Sequence, residues 1–353
     1  MEKKSEDTKK DVDKIFDDFK NKKLERVIKR ARWQTILRNI VISFLVFCIF
    51  YFSISYFINA CISRQVSAAS NYGFAINSIS APNKYIGKNV SFYDSFSSRI
   101  DYTTYKLIQG KVVYTGSVDH NFVFLSHPLI SETSPPIMNY NFDSSYLIDH
   151  FGYRRYNELG QIVMVFFYPF VKYDASEYLN DLDLLDDIGS NKYMEMALSF
   201  NREYTIEEVK KILPEDITVT WYWVDDLSEN EKEMLKIPLK EQEEMELPVC
   251  LPSVKSEYTA YGINLYDNCG DEIPDNMAVE WFIDFIVNGR DEYGKGNEFE
   301  RIYNNMAGDD DKLTQDDIRI WGAVVTGDSE SLKVLVELPF IKASSLGVVT
   351  DKY

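Results

Sequence analysis

The residues of this chain best suited to acid–base or metal chemistry are three histidines, His120, His127 and His150. None is spaced as His-x-x-x-His, and none is paired with cysteines at zinc-site distance. No serine or cysteine stands in a recognisable nucleophile motif with them. Gly294-Lys295-Gly296 lacks the remaining glycine and the Ser/Thr of a phosphate loop, so it reads as a turn between helices. Asp309-Asp310-Asp311 looks like the opening of a calcium loop, but Thr314 stands where an EF-hand requires glycine. It reads as an Asp-rich turn. Trp221-Tyr222-Trp223 has the makings of a ligand groove. Alternation, however, places Trp221 and Trp223 on one face with Ile217 and Val219, which is the spacing of a core strand. The expectation is a protein without catalysis, cofactor or resident metal.

The four cysteines divide two and two. Cys48 and Cys61 fall in or beside a long apolar run and act as small apolar residues. Cys250 and Cys269 have 18 residues between them. A disulfide there would stabilise by about 3 kcal/mol on the chain-entropy view. Two free thiols fit the spacing equally well, because spacing does not fix the Cα separation.

What must position these residues begins with that apolar run. Asn39–Ser63 carries no charge and is bounded by Arg38 and Arg64; its centre, Ile40–Ile58, is 19 residues long. At 1.5 Å per residue it crosses about 30 Å of hydrocarbon. Lys29, Arg30, Arg32 and Arg38 precede it, whereas Arg64 and then Lys84 follow. The positive-inside rule therefore predicts a cytoplasmic N-terminus. Ser67-Ala68-Ala69 would suit a signal peptidase, yet the long basic lead and the length of the span point to an uncleaved anchor.

The charge of -18 is uneven. Residues 1–38 hold 13 Lys/Arg against 8 Asp/Glu, a net of +5, and the remainder carries -23. So acidic a surface repels phosphate backbones and excludes direct nucleic-acid binding by that part. Within the basic segment, Val12, Ile15, Phe16 and Phe19 form one helical stripe, and Leu24, Val27, Ile28 and Ala31 form a second. The two are out of step, which predicts a bend or short break around Asn21.

Beyond the span, the pattern predicts an α+β chain in two parts. Residues 70–190 read as a mainly-β subdomain. Its strands are near Asn89–Tyr93, Thr104–Ile108, Lys111–Thr115 and Asn121–Leu125, punctuated by Gly110 and Gly116. A buried strand at Gln161–Val171 and an acidic helix at Ser176–Asp187 close that part. Residues 191–353 read as an α/β sandwich of two β-α-β units. The first is strand Tyr193–Phe200, a helix capped at Thr205, and strand Ile217–Val224. The second is Ile318–Thr326, a helix over Ser329–Leu338, and Phe340–Val349. The expected arrangement is ferredoxin-like. Between the units lie an acidic mobile stretch (Asp225–Glu246), a strand near Tyr258–Leu265, and helices near Asn276–Val287 and Asn297–Met306.

The segment FKNKKLERVIKRARWQTILRN (Phe19–Asn39), the stretch ISAPNKYIGKNVSFYDSF (Ile79–Phe96) and YKLIQGK after it resemble the N-terminal module of sigma factor regulators, over about residues 19–125. NKYMEMALSFNREYTIEEVKKILP (Asn191–Pro214), WYWVD (Trp221–Asp225) and the tail from Arg301 to Tyr353 resemble the C-terminal module of the same family. The resemblance implies a membrane-anchored anti-sigma factor of a bacterium. Residues 1–38 would hold an extracytoplasmic-function sigma factor, residues 39–63 would span the membrane, and the outer domain would respond to envelope state. Val12, Ile15, Phe16 and Phe19 are then the candidate sigma contacts, laid into a groove of the partner. The rival for this basic helix is a bed of anionic membrane lipid under Lys22, Lys23, Arg26, Lys29 and Arg30. The rival for the whole chain is an extracytoplasmic binding or envelope-assembly module with a simple anchor. The sequence does not set an oligomeric state.

Overall fold

No proline occurs before Pro82, and Gly73 is the first glycine, so nothing in the early sequence interrupts a helix. In the computed structural model of the chain, α1 runs without a break over Glu2–Ile79. The structure describes residues 2–94, 96–123, 129–132, 154–174, 176–237, 254–267, 269–308 and 312–353, with the side chains of α1 described from Asp17 onward. Of the bend or short break expected around Asn21, the break is absent. The stripes change face along one continuous helix instead. α1 also continues past the apolar run, so residues 70–79, expected in the β region, are helical. It stops where Ala81 and Asn83 adopt positive φ (53° and 54°) on either side of Pro82.

The chain divides into two units, Met1–Ser63 and Arg64–Tyr353. In the first, the large apolar side chains from Ile40 to Phe57 stand exposed, as a helix in lipid would leave them. The second is mixed sheet and helix. It opens with an antiparallel meander of β1 (Lys84–Tyr93), β2 (Ser97–Ile108), β3 (Lys111–Val123) and β4 (Leu129–Glu132). Gln109 and Gly110 both take positive φ, the two-residue turn that matches the twist of a tight hairpin. Gly116 does not end a strand as expected. It sits at a bulge inside β3, where the register with β2 shifts, and the two segments read on either side of it are one strand.

The stretch read as one buried strand is two short pieces, β6 (Ile162–Val163) and β7 (Val165–Phe167); β5 (Arg155–Tyr156) pairs with the first. The acidic helix shrinks to a 3-10 turn at Asp181–Leu184 and α2 (Leu185–Ile188).

The principal sheet contains β8 (Lys192–Tyr204), β9 (Thr218–Val224), β11 (Gly262–Asn264), β12 (Ile320–Asp328) and β13 (Ile341–Asp351), in the order β11-β9-β12-β8-β13. Every pairing is antiparallel, so β8 and β9 run parallel with β12 between them, and β12 and β13 run parallel with β8 between them. These are the two interleaved β-α-β units. The first crossover is α3 (Ile206–Ile212), opened by the Thr205–Glu208 capping box. The second is a single turn, α7 (Ser329–Leu332), followed by a 3-10 turn rather than the full helix expected. The stretch from Asp225 expected to be mobile holds α4 (Glu229–Leu235), fixed by a Ser228–Glu231 box; residues 238–253 lie outside the described residues. β10 (Val254–Ser256) pairs with β7, and α5 (Asp275–Tyr293) and α6 (Glu298–Met306) complete the fold.

Both faces of the sheet are covered. Met194, Met196, Leu198 and Phe200 meet α3, α5 and α6 on one face, as their alternation predicts. Phe166, Tyr168, Trp221, Trp223 and Trp321 pack on the other. Trp221 and Trp223 are core residues, but they do not share a face with Ile217 and Val219. A register shift between Val324 and Val325 puts a bulge at Thr220, and alternation resets across it.

Candidate functional site

The last turns of α1 end inside the globular unit. Ile79 is fully buried in the core on the helix face of the sheet. Tyr72 sits edge-on to Tyr293 (5.0 Å between ring centres) and to Phe299 (5.7 Å), the arrangement favoured by ring quadrupoles. Phe299 reaches that position because Gly289 lies beneath it. A Cβ there would come within 2.4 Å of the Phe299 ring. Polar ties hold the end of the helix as well. Asn264 Nδ2 donates to Ser78 O (2.9 Å), Asn77 Nδ2 to Lys84 O (3.2 Å), and Ala81 N to Ala260 O (3.2 Å). On its other side Phe74 stacks on Tyr102 of β2 (6.5 Å).

A second attachment lies on the opposite face of the sheet. Lys106 of β2, almost wholly buried, donates from Nζ to Glu195 Oε2 of β8 (2.7 Å) and to Glu257 Oε2 (2.8 Å). Asn83 Nδ2 completes the cluster with bonds to Glu195 Oε1 (3.2 Å) and Leu107 O (2.9 Å). Burial works against the ammonium, yet Glu195 and Glu257 outweigh it and hold Lys106 above its ordinary value. Burial pushes Glu257 up; Lys106 opposes this and Glu195 adds to it. Two carboxylates thus share one cation in a dry interior, where each depends on the others. A cavity of about 20 Å³ beside Lys106 and Glu257, lined also by Thr104, Thr115, Asn157 and Gln161, has room for a single water. Gln109, at the hairpin turn, donates to the carbonyl and hydroxyl of Thr326 (2.9 and 3.1 Å).

These two attachments acquire meaning from the comparison with known families. Residues 25–113 match Sigma factor regulator N-terminal, and residues 185–348 match Sigma factor regulator C-terminal. The chain belongs to the sigma factor regulator family. No curated protein and no solved structure matches it. In this sigma factor regulator the N-terminal match supplies Tyr72, Ile79, Asn83 and Lys106, and the C-terminal match supplies Glu195, Glu257, Asn264, Tyr293 and Phe299. Both attachments therefore join one family module to the other. The family is regulatory rather than catalytic, and it implies interaction with a sigma factor. The long apolar N-terminal helix fits a single-pass membrane anchor.

Of the residues singled out in the sequence, Val12, Ile15, Phe16 and Phe19 all lie on α1, and the Phe19 side chain is exposed. All four precede the matched residues. Cys269 is exposed in a turn where its backbone N–H donates to Asp267 Oδ1 (2.8 Å), and Cys250 lies outside the described residues. So do His127, His150 and Asp309-Asp310-Asp311. His120 is half-buried in β3 beside Tyr102. Lys106, Glu195 and Glu257 went unnoticed in the sequence. Glu195 stands between Met194 and Met196, where alternation assigns it to solvent, and alternation likewise assigned Trp221 and Trp223 to the first face, so the second face did not read as interior.

Proposed function

We propose that this chain is an anti-sigma-factor-like regulator that sequesters an extracytoplasmic-function sigma factor at the cytoplasmic face of the membrane and senses envelope state through the globular unit on the other side. The observation that carries the reading is the membership of both matched segments in one regulatory family, together with a helix that runs into the first of them and whose apolar run has a basic flank on its N-terminal side. That flank sets the orientation. On a continuous helix the stripe Val12, Ile15, Phe16, Phe19 and the stripe Leu24, Val27, Ile28, Ala31 face directions about 120° apart, at 100° per residue. The first can face a partner groove while the second, with Lys22, Lys23, Arg26, Lys29 and Arg30 around it, rests on anionic lipid.

The test uses the full chain in membranes, co-expressed with a candidate extracytoplasmic-function sigma factor. Replacing Phe16 and Phe19 together by alanine removes about 2 kcal/mol or more for each anchoring aromatic. Co-purification should fall by two decades or more in affinity, and a promoter reporter should switch on. Parent-like binding by the double variant would remove the stripe from the contact. A parent chain that brings down no sigma factor would favour a simple anchored module. Pairing of Cys250 with Cys269 belongs to the same set of proposals. Rapid labelling of both thiols in the native, unreduced chain would exclude it.

A further inference from the structure

Beside the apolar attachment lies a cavity that the attachment does not fill. Its volume is about 140 Å³, and all its lining residues belong to the globular unit. Asn77 at the end of α1 and Tyr85 of β1 line one side. Asn264 of β11, followed by Tyr266 and Asp267, lines another. α5 supplies Phe282, which is buried, and Trp281 and Phe285, which are 42% and 38% exposed. The first pair of residues comes from the N-terminal family match and the others from the C-terminal match.

The polar groups of this lining are left with acceptors. Asn77 and Asn264 spend their Nδ2 groups on Lys84 O and Ser78 O, so what each still offers is an amide oxygen. Asp267 Oδ1 accepts from Cys269 N–H and Asp271 N–H (2.8 and 2.9 Å), which leaves Oδ2 over; among the described residues Asp267 is in no ion pair. Tyr85 is 4% exposed, yet its hydroxyl has no hydrogen-bond partner among the described residues. Burial first, then Tyr105, Tyr266, Glu195 and Asp267, hold its phenol above the ordinary value, so it stays neutral. Lys84 borders the cavity too, but it pairs with Lys106 across the strands and leaves on that side, where it lines the smaller cavity. Tyr85, next along, leaves on the other side and stacks on Tyr105 (5.5 Å). Tyr204 and Tyr303 are covered by Arg202 and Arg290, whereas among the described residues no Lys or Arg lies over Tyr266, Trp281 or Phe285.

We propose that this cavity binds a small organic cation, a substituted ammonium, held between the faces of Trp281 and Phe285 and the carboxylate of Asp267. Ring faces attract such a cation through their quadrupole, and more strongly once water is displaced. A neutral guest would cover Asp267 without matching its charge, at a desolvation cost that a cation avoids. Size agrees as well, since a cavity of about 150 Å³ holds one ring-sized guest. The chain from Asn39 onward carries -23, a field that draws cations toward the unit. The proposal concerns the globular unit alone and rests neither on the sigma partner nor on the membrane span.

The experiment titrates choline into the full chain in dodecyl maltoside micelles, which contain no ammonium group. The comparison ligand is the neutral alcohol in which a tert-butyl group replaces the trimethylammonium. Calorimetry gives the affinities, and saturation transfer from protein to ligand protons reports the contact. Choline should bind about ten-fold or more tightly than the alcohol. Asp267→Asn keeps Oδ1 for the turn and removes only the charge; Trp281→Ala removes a half-exposed ring. Each should weaken choline by about ten-fold, with the circular dichroism of the parent retained. Asp94→Asn, the same change of net charge at the β1–β2 turn, should leave the affinity unchanged. Equal affinity for choline and the alcohol would make the cavity merely apolar and overturn the proposal. Equal weakening by Asp94→Asn and Asp267→Asn would replace the site by general charge attraction. Absence of saturable choline binding to the parent chain would end it outright.

Discussion

The two faces of the five-stranded sheet hold the family's two modules together by different physics. On the helix face the link is apolar: Ile79 and Tyr72 against the core formed with α5 and α6. On the aromatic face it is ionic: Lys106 between Glu195 and Glu257, among side chains that leave almost no water. An apolar contact weakens in proportion to the volume removed. A buried ion cluster fails as a unit, because removing one member strands the charge of the others. The contrast teaches that the two family modules are held by one graded joint and one abrupt joint, on opposite sides of the same sheet.

The largest expected effect breaks the abrupt joint. Lys106→Met leaves two carboxylates facing each other without their cation, and should cost about 3–5 kcal/mol in denaturant unfolding of the globular unit. The triple variant Lys106→Met, Glu195→Gln, Glu257→Gln should recover most of that loss, because no charge is left unpaired. The buried tryptophans at 221, 223 and 321 provide the fluorescence signal. A Lys106→Met variant as stable as its parent would dissolve the contrast between the faces.

The graded joint is tested by Ile79→Ala, expected to cost about 2–4 kcal/mol for a fully buried side chain that loses its contacts. Gly289→Ala should cost about 1–3 kcal/mol, because the new methyl meets the Phe299 ring. Neither loss should depend on pH between 4 and 8.

The aromatic face should depend on pH. Asp225 is pushed up to about 6, first by burial, with Lys232 opposing and Asp226 adding. Its ionised form is the disfavoured one in the folded chain. The stability it contributes is complete below its unfolded value near 3.8 and is lost as pH rises through about 6. The change is at most about 3 kcal/mol at 1.4 kcal/mol per unit. Stability measured from pH 4 to 7 should fall in the parent and stay flatter in Asp225→Asn.

The helix face was legible in the sequence because one rule, alternation along Met194–Phe200 and 3.6-residue spacing in the helices, decides it. Thr205-Ile206-Glu207-Glu208 announced its cap in the same way, and the two β-α-β units kept their order. The other face was not, because it breaks that rule twice. The Thr220 bulge moves Trp221 and Trp223 off the face that alternation assigns them, and Glu195 and Lys106 are polar residues placed in an interior. Partners 89 and 151 residues apart leave no local trace of one another. Nor did local pattern show that α1 continues to Ile79. The charge-free run ends at Ser63, and what carries the helix on is the absence of a breaker before Ala81.

The smallest effects sharpen the same contrast at the rims. Each face is covered by a helix opened with a capping box: Thr205 with Glu208 for α3, and Ser228 with Glu231 for α4. The first box is local. Thr205 N–H donates to Glu208 (2.8 Å), and Thr205→Ala should cost about 1 kcal/mol. The second is tied into a network. Glu231 Oε2 accepts from Ser228 N–H and Oγ–H, both at 2.7 Å, and from Asn305 Nδ2 at 3.3 Å. Asn305 also donates to the carbonyl of Asp226 (3.0 Å), which Arg301 grips through both its carbonyl and its carboxylate. Ser228→Ala frees Glu231 to move and so loosens Asn305, for a total of about 1–2 kcal/mol. A double-mutant cycle separates the two cases. Ser228→Ala combined with Asn305→Ala should be non-additive by about 0.5–1 kcal/mol, whereas Thr205→Ala with Asn305→Ala should add. Additivity in both cycles would mean that the charged face is no more cooperative at its rim than the apolar one, and would confine the abrupt behaviour to Lys106 and its two carboxylates.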